Sequence, residues 1–309
     1  MKKLVLQVKE HLVQDFNGFI YAGHALWLIA LIYINYSWGI EARISQSHPS
    51  LRIPLFFLFN ALAYGVSLGI IGWRRPIRVN REFFIITGMG LWILAMDRGF
   101  PFISTIALKI SNDIPTYRWV FGLVTSGISF VLVLAPVLMI AQLPSQRAAN
   151  FYGLGPSKAS FGSYLQLLMA VAPLILAASI LPSFRSYYPV YQYYSLQADH
   201  ATTALGAAWI YELMYGMDFI NVEVLFRGFF VIGLAKYLGK ESILPMVTIY
   251  CCLHFGKPLG EAISSIFGGF IIGVIAYQTR SVWGGILVHI GIAWMMEVSA
   301  YMSRTFFTS

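Results

Sequence analysis

Residues 18–39 contain no Lys, Arg, Asp or Glu, and apolar runs of similar length recur at roughly 54–73, 117–142, 164–181, 259–278 and 282–303. In hydrocarbon, backbone polar groups must be satisfied within the segment itself, so runs of about 20 such residues fold as membrane-spanning helices. Composition agrees: the chain is 58% hydrophobic and 11% charged, against roughly 25% charged in a soluble domain. Three further segments extend the pattern. A run from Phe83 is interrupted by Asp97-Arg98-Gly99 and Pro101, a run at 202–236 is too long for one untilted span, and a shorter one covers 243–255. Gly216 is expected to divide the long run into two helices. The expected fold is an all-α, polytopic transmembrane helical bundle of about eight or nine membrane helices.

The formal charge of +8 reads as loop bias rather than as a nucleic-acid surface. Arg74, Arg75, Arg78 and Arg81 crowd one loop beside a span, which places that loop in the cytoplasm. Residues 1–16 then form a short amphipathic cytoplasmic segment, and the loop of 144–163 with Arg147 and Lys158 lies inside as well. Tyr187, Tyr188, Tyr191, Tyr193 and Tyr194 suit an interfacial belt on the outer side. The Met-Lys-Lys start precedes an apolar run broken by Lys9, Glu10 and Asp15, so no removable signal peptide is expected. Cys251 and Cys252 are adjacent, without disulfide or metal-ligand spacing. The chain divides at the loop around Gly153 and Gly155 into membrane helices at 1–143 and a second unit at 150–303. The expected location is the bacterial cytoplasmic membrane, multi-pass, N-terminus inside, with the lipid bilayer and a membrane-associated or lipidated peptide as partners and no nucleic acid.

The chemistry concentrates in the second half. Glu223 and Arg227 sit four apart in a strongly apolar run, on one helix face, where they can satisfy each other. Ionised residues in such surroundings usually mark function. His254 and His289 lie in equally apolar runs. Counting about 1.5 Å per helical residue from the basic loops puts Glu223 about 20 Å deep, His254 about 18 Å and His289 about 14 Å. A carboxylate and two imidazoles at matched depth suit water activation. The same trio leaves a divalent metal open, although the ligand spacing does not indicate one. Simpler readings stand beside these: the Glu–Arg pair as an interhelical lock, His24 as an interhelical hydrogen bond, and Asp97 and Arg98 as mutually neutralising neighbours. Gly269 and Gly273 fit close helix packing. A transporter reading, with Asp97, Arg98, Glu223 and Arg227 as ligands, lacks a detectable inverted repeat.

Three ordered blocks resemble the CPBP family of intramembrane proteases, which includes the type II CAAX prenyl endopeptidases and bacteriocin-processing and immunity proteins. They are Glu223-Val-Leu-Phe-Arg227-Gly228, Tyr250-Cys-Cys-Leu-His254-Phe255-Gly256, and the stretch from Arg280 to His289. The resemblance implies a hydrolase in which a glutamate activates water with a histidine while the second histidine and an asparagine stabilise the oxyanion. Glu223, Arg227, His254 and His289 fall on family positions. The first glutamate of the family falls on Val222, the asparagine on Ala293, and Tyr250 replaces a phenylalanine, which reads as a mild change. Three routes around the missing base are open: Glu223 itself, Asp218 one turn before Val222, and Glu297 two turns after His289. The expected function is an intramembrane endopeptidase resembling CAAX-type prenyl proteases. The alternative is a catalytically silent family member with an immunity or partner-binding role.

Overall fold

The computed structural model describes residues 2–77, 79–156, 161–190 and 201–307. Arg78, Lys158, Tyr191, Tyr193 and Tyr194, which figured in the loop and belt expectations, lie outside the described residues. Every regular element among the described residues is helical. The first half comprises α1 (Lys2–Asp15), α2 (Gly18–Trp38), α3 (Ile40–Ser45), α4 (Pro49–Gly72), α5 (Arg81–Gly99), α6 (Ile103–Ile110), α7 (Ile114–Ser129) and α8 (Ala135–Ala141). A π-helical stretch, Phe130–Leu134, joins α7 to α8. After the turn α9 (Asn150–Gly153) come α10 (Phe161–Ala178), α11 (Pro182–Tyr187) and α12 (Ala201–Glu223). A second π-helical stretch, Val224–Gly233, continues α12. The chain closes with α13 (Ala235–Leu238), α14 (Ile243–Leu253), α15 (Leu259–Thr279) and α16 (Trp283–Phe307).

The protein is an integral, multi-pass membrane protein. Six helical stretches are long and apolar enough to cross a membrane: α2, α4, Ile114–Ala141, α10, α15 and Trp283–Arg304. The pair α5 and α6, bent by 41°, makes a seventh if it is one broken span. Length and composition thus give six or seven candidate spans among the described residues and leave the expected eight or nine unconfirmed. The difference has two causes. Helix α14 has 11 residues, about 16 Å of helix, which does not span a bilayer core of about 30 Å by itself. Helix α12 carries Glu212, Asp218 and Glu223 and is not among the apolar spans. Gly216 does not divide it: α12 runs unbroken from Ala201 to Glu223. A glycine inside a helix costs about 1 kcal/mol. Here it lets the Trp294 indole of α16 approach, since a Cβ at residue 216 would lie 3.3 Å from that ring.

Both halves of the chain share one core. Buried Leu28, Tyr64, Phe83 and Leu94 from the first half pack in a cluster with Phe226, Phe230, Ile249 and Val274 from the second. Polar contacts also cross the halves: Ser67 Oγ and Thr248 Oγ1 lie 2.7 Å apart between α4 and α14, and Asn35 Nδ2 donates to the Phe255 carbonyl at 3.2 Å.

Ion pairs gather at both ends of the bundle. Asp15 pairs with Arg75 and Lys240, Arg75 also pairs with Glu241, Lys236 reaches Glu82, and Gln278 donates to the Gln7 carbonyl. Helix α1, the basic loop after α4 and the segment from Lys236 to Glu241 therefore meet at one end. At Glu241 burial pushes the carboxyl upward, opposed by the Arg75 hydrogen bond. The other end holds Arg98 with Glu41 and Glu261 with Lys257 and the Tyr188 hydroxyl.

Candidate functional site

Glu223 closes α12 and is fully buried, as is Arg227 one turn later in the π-helical stretch. The Arg227 Nη1 lies 3.0 Å from Glu223 Oε1. Burying both charges together limits the desolvation that either would suffer alone. The guanidinium also stands 4.1 Å from the centre of the Tyr250 ring, a cation–π contact worth more in apolar surroundings than in water.

Helix α16 supplies the third member. His289 Nδ1 lies 3.0 Å from the same Glu223 Oε1, so the imidazole donates from Nδ1 and leaves Nε2 as the acceptor. The Tyr250 hydroxyl faces that Nε2 at 3.4 Å. Glu223 Oε2 has no hydrogen-bond partner. Helix α16 comes this close because residue 285 is glycine: a Cβ there would collide with Glu223 Oε2. Gly269 on α15 does the same for Tyr250, whose ring a Cβ would meet at 2.8 Å. The Gly269–Gly273 spacing thus serves close packing, with Met246 filling the space over Gly273.

His254 caps α14. Its Nδ1 donates to the Tyr250 carbonyl at 2.9 Å and its ring lies 4.7 Å from the Tyr250 ring. Tyr250 therefore stands between the two histidines, in ring contact with each. The structure brings Glu223, Arg227 and His289 into direct contact and joins His254 to them through Tyr250. His289 is the most open of the group, with 13% of its side chain exposed. Phe219 and Phe226 wall the site, with ring centres 4.5 Å from His289 and 5.2 Å from Tyr250. Among the described residues no three His, Cys, Asp or Glu side chains converge as metal ligands.

The structure places the substitute carboxylates elsewhere. Asp218 turns toward α7 and accepts from Ser126 Oγ at 2.7 Å. Glu297 accepts the Val190 N–H with both oxygens, at 2.9 and 3.0 Å. Glu223 is the carboxylate that remains at the site. Other sequence readings also change. Arg98 pairs with Glu41 at 2.7 Å rather than with Asp97, because successive helical residues point in different directions. His24 donates within its own helix to the Ile20 carbonyl, not between helices. Tyr250, read as a mild replacement, stands at the centre of the site. The available signal was a hydroxyl one turn before His254 in an apolar run, where a buried hydroxyl needs a partner.

Residues 201–295 match the family Type II CAAX prenyl endopeptidase Rce1-like. This segment holds Glu223, Arg227, Tyr250, His254 and His289, and it supports the CPBP protease resemblance read from the three blocks. The match covers α12, α14, α15 and the first half of α16, and leaves α1 to α8 outside it. No curated protein and no solved structure matches the chain.

Proposed function

We propose that this protein is an intramembrane endopeptidase that cleaves a membrane-associated or lipidated peptide. The observation that carries the reading is the chain of contacts from Glu223 Oε1 to His289 Nδ1 and from His289 Nε2 to the Tyr250 hydroxyl. A carboxylate behind an imidazole fixes its tautomer and stabilises the imidazolium that forms on proton uptake. In this reading His289 Nε2 takes a proton from water as the water oxygen attacks the scissile carbonyl. The Tyr250 hydroxyl donates to the oxyanion, in place of the amide lost at Ala293. The imidazolium then returns its proton to the leaving amine, and the carbonyl reforms as the C–N bond breaks. His254 is a positioning residue, holding Tyr250 by its carbonyl and ring, and Arg227 balances the Glu223 charge. Val222 leaves the family's first carboxylate position apolar, so the base is the histidine rather than a glutamate.

The unit at 150–303 carries this chemistry, and the helices of 1–143 close the bundle around it and admit substrate from the lipid. We place the basic end on the cytoplasmic side with the N-terminus inside, since short basic loops are retained there. A bacterial cytoplasmic membrane fits this arrangement.

The test uses purified protein in detergent with a prenylated peptide and a transmembrane reporter. Cleavage is expected, with a loss of about 10²–10⁴-fold in His289→Ala, as for removal of a general base. Glu223→Ala and His254→Ala are expected to lose cleavage as well. Wild-type rates in the His289 and Glu223 variants would overturn these assignments. No cleavage of either reporter, with a partner retained on the intact protein, would mark a catalytically silent member.

A further inference from the structure

Three residues with side chains stand in succession in the left-handed region: Asn150 (φ 47°), Phe151 (φ 50°) and Tyr152 (φ 55°), followed by Gly153 at φ 81°. Residues other than glycine visit this region singly, because Cβ crowds the following carbonyl oxygen. A run of three is strained, and such strain persists only where the surroundings hold it, most often at functional sites. This turn, α9, precedes the family match at 201–295. Its anchor is Tyr152, which is fully buried. The ring meets Phe229 edge-on, with centres 5.3 Å apart, and covers Gly233, where a Cβ would lie 2.5 Å from it. The Tyr152 carbonyl oxygen lies against Gly228, the residue after Arg227, where a Cβ would come within 2.7 Å. Five residues separate the two glycines by about 140° around an α-helix. The i→i+5 bonding of the π-helical stretch Val224–Gly233 turns them toward one side, and one tyrosine seats against both. Gln146 Oε1 accepts from the Tyr152 hydroxyl at 3.3 Å.

The same turn holds the start of α16. The Val282 N–H donates to the Gly153 carbonyl at 3.2 Å, and the Trp283 indole N–H donates to the Leu154 carbonyl at 3.0 Å. Gly153 permits the approach, since a Cβ there would press on Ser281 Cα and Val282 N, each at 3.1 Å. Arg280 adds a link of its own, donating from Nη1 to the Ile232 carbonyl at 3.4 Å. The π-helical stretch follows Glu223 directly and carries Arg227, while α16 carries His289. The turn therefore joins the two elements whose side chains meet at Glu223 Oε1.

We propose that Tyr152 is a positioning residue: seated in the left-handed turn, it sets how the stretch carrying Arg227 approaches α16, and so sets the contact of Glu223 with His289. Tyr152 takes no part in the proton transfers. It acts through Gly228 and Gly233 on one element and through its own turn on the other. A misplacement of about 1 Å between reacting groups can cost about 10²-fold in rate, so a small loosening of this seat is read in turnover before it is read in substrate binding.

The kinetic arm of the test rests on the proteolytic reading, and a spectroscopic arm does not. For the full chain in detergent, kcat and KM on the prenylated peptide would be measured in Tyr152→Ala, Gly233→Ala and Tyr152→Phe, with Tm and gel filtration for each. The His289 Nδ1–H signal, identified by its loss in His289→Ala, would be followed by NMR of histidine-labelled protein. Tyr152→Ala empties the seat, and Gly233→Ala drives a methyl group into it. Both are expected to lower kcat by about 10- to 100-fold with KM within about twofold, and to shift the His289 signal. Tyr152→Phe keeps the ring in the seat and is expected to restore turnover and signal. Wild-type kcat with an unshifted signal in the first two variants overturns the proposal, as does a lower Tm alone or a change confined to KM. If the unaltered protein cleaves nothing, the proteolytic reading fails and the His289 signal alone decides the role of Tyr152. Should both variants fail to fold, Trp283→Phe, which removes only the indole N–H on Leu154, is read by the same criteria.

Discussion

Two polar clusters lie inside the same bundle, and they neutralise their charge differently. At Glu223 the counter-ion comes from the same helix one turn on, and Arg227 is as fully buried as its partner. At Asp97 and Asp218 the groups come from different helices, and among the described residues no basic side chain forms an ion pair with them. The first cluster is held by the ion pair and by the Tyr250 ring over the guanidinium, while Glu223 Oε2, without a hydrogen-bond partner, faces the glycine of a neighbouring helix. The second sets Asp218 against the Ser126 hydroxyl and Asn221 against the Ser129 hydroxyl, neutral partners between α7 and α12. Ionisable groups in apolar surroundings pair with one another or with backbone carbonyls, or face a water-filled cavity.

That contrast can be broken in order of expected effect. Arg227→Leu should be the most damaging change, since it strands a buried carboxylate. A loss of roughly 3–5 kcal/mol is expected, read as a large fall in Tm or failure to accumulate in the membrane. If Arg227→Leu unfolds like the wild type, the pair does not neutralise itself. Gly285→Val drives a side chain into Glu223 Oε2, and overpacking of this kind costs about 1–3 kcal/mol; a cleavage assay should fall further than Tm does. Tyr250→Phe removes only the hydroxyl facing His289. About 10²-fold in rate is expected from a lost oxyanion donor, with Tm nearly unchanged, and an equal rate would return Tyr250 to a packing role. Lys240→Ala, at an exposed end of the Asp15 cluster, should change stability by no more than about 1 kcal/mol, as partly solvated pairs do. A larger effect there would show that the ion pairs at the bundle's end, and not only the buried ones, hold the first half to the second.

The reach of the sequence differed between these regions. Spans α2, α4, α10, α15 and α16 were legible within a few residues because a strongly apolar run of about 20 residues has one stable form in lipid. The Glu223–Arg227 pairing was legible too, since four residues fix a shared face whatever the surroundings. Asp97 and Arg98 were misread together, because adjacency in a helix separates side chains by direction, and Glu41 was far off in sequence. Gly216 was misread as a break because the sequence cannot show that Trp294 requires the space.

By itself, then, the sequence determined an all-helical membrane bundle, the Glu223–Arg227 pair and the membership of His254 and His289 in the same apolar half. These follow from local rules: hydrocarbon demands helices, and helical periodicity fixes neighbours within a turn. Only the tertiary structure decided that His289 meets Glu223 directly while His254 reaches it through Tyr250. The same holds for Asp218, which turns away toward α7. The rotation of each helix about its axis is set by packing against helices distant in sequence, and glycines such as Gly285 record those approaches without naming the partner.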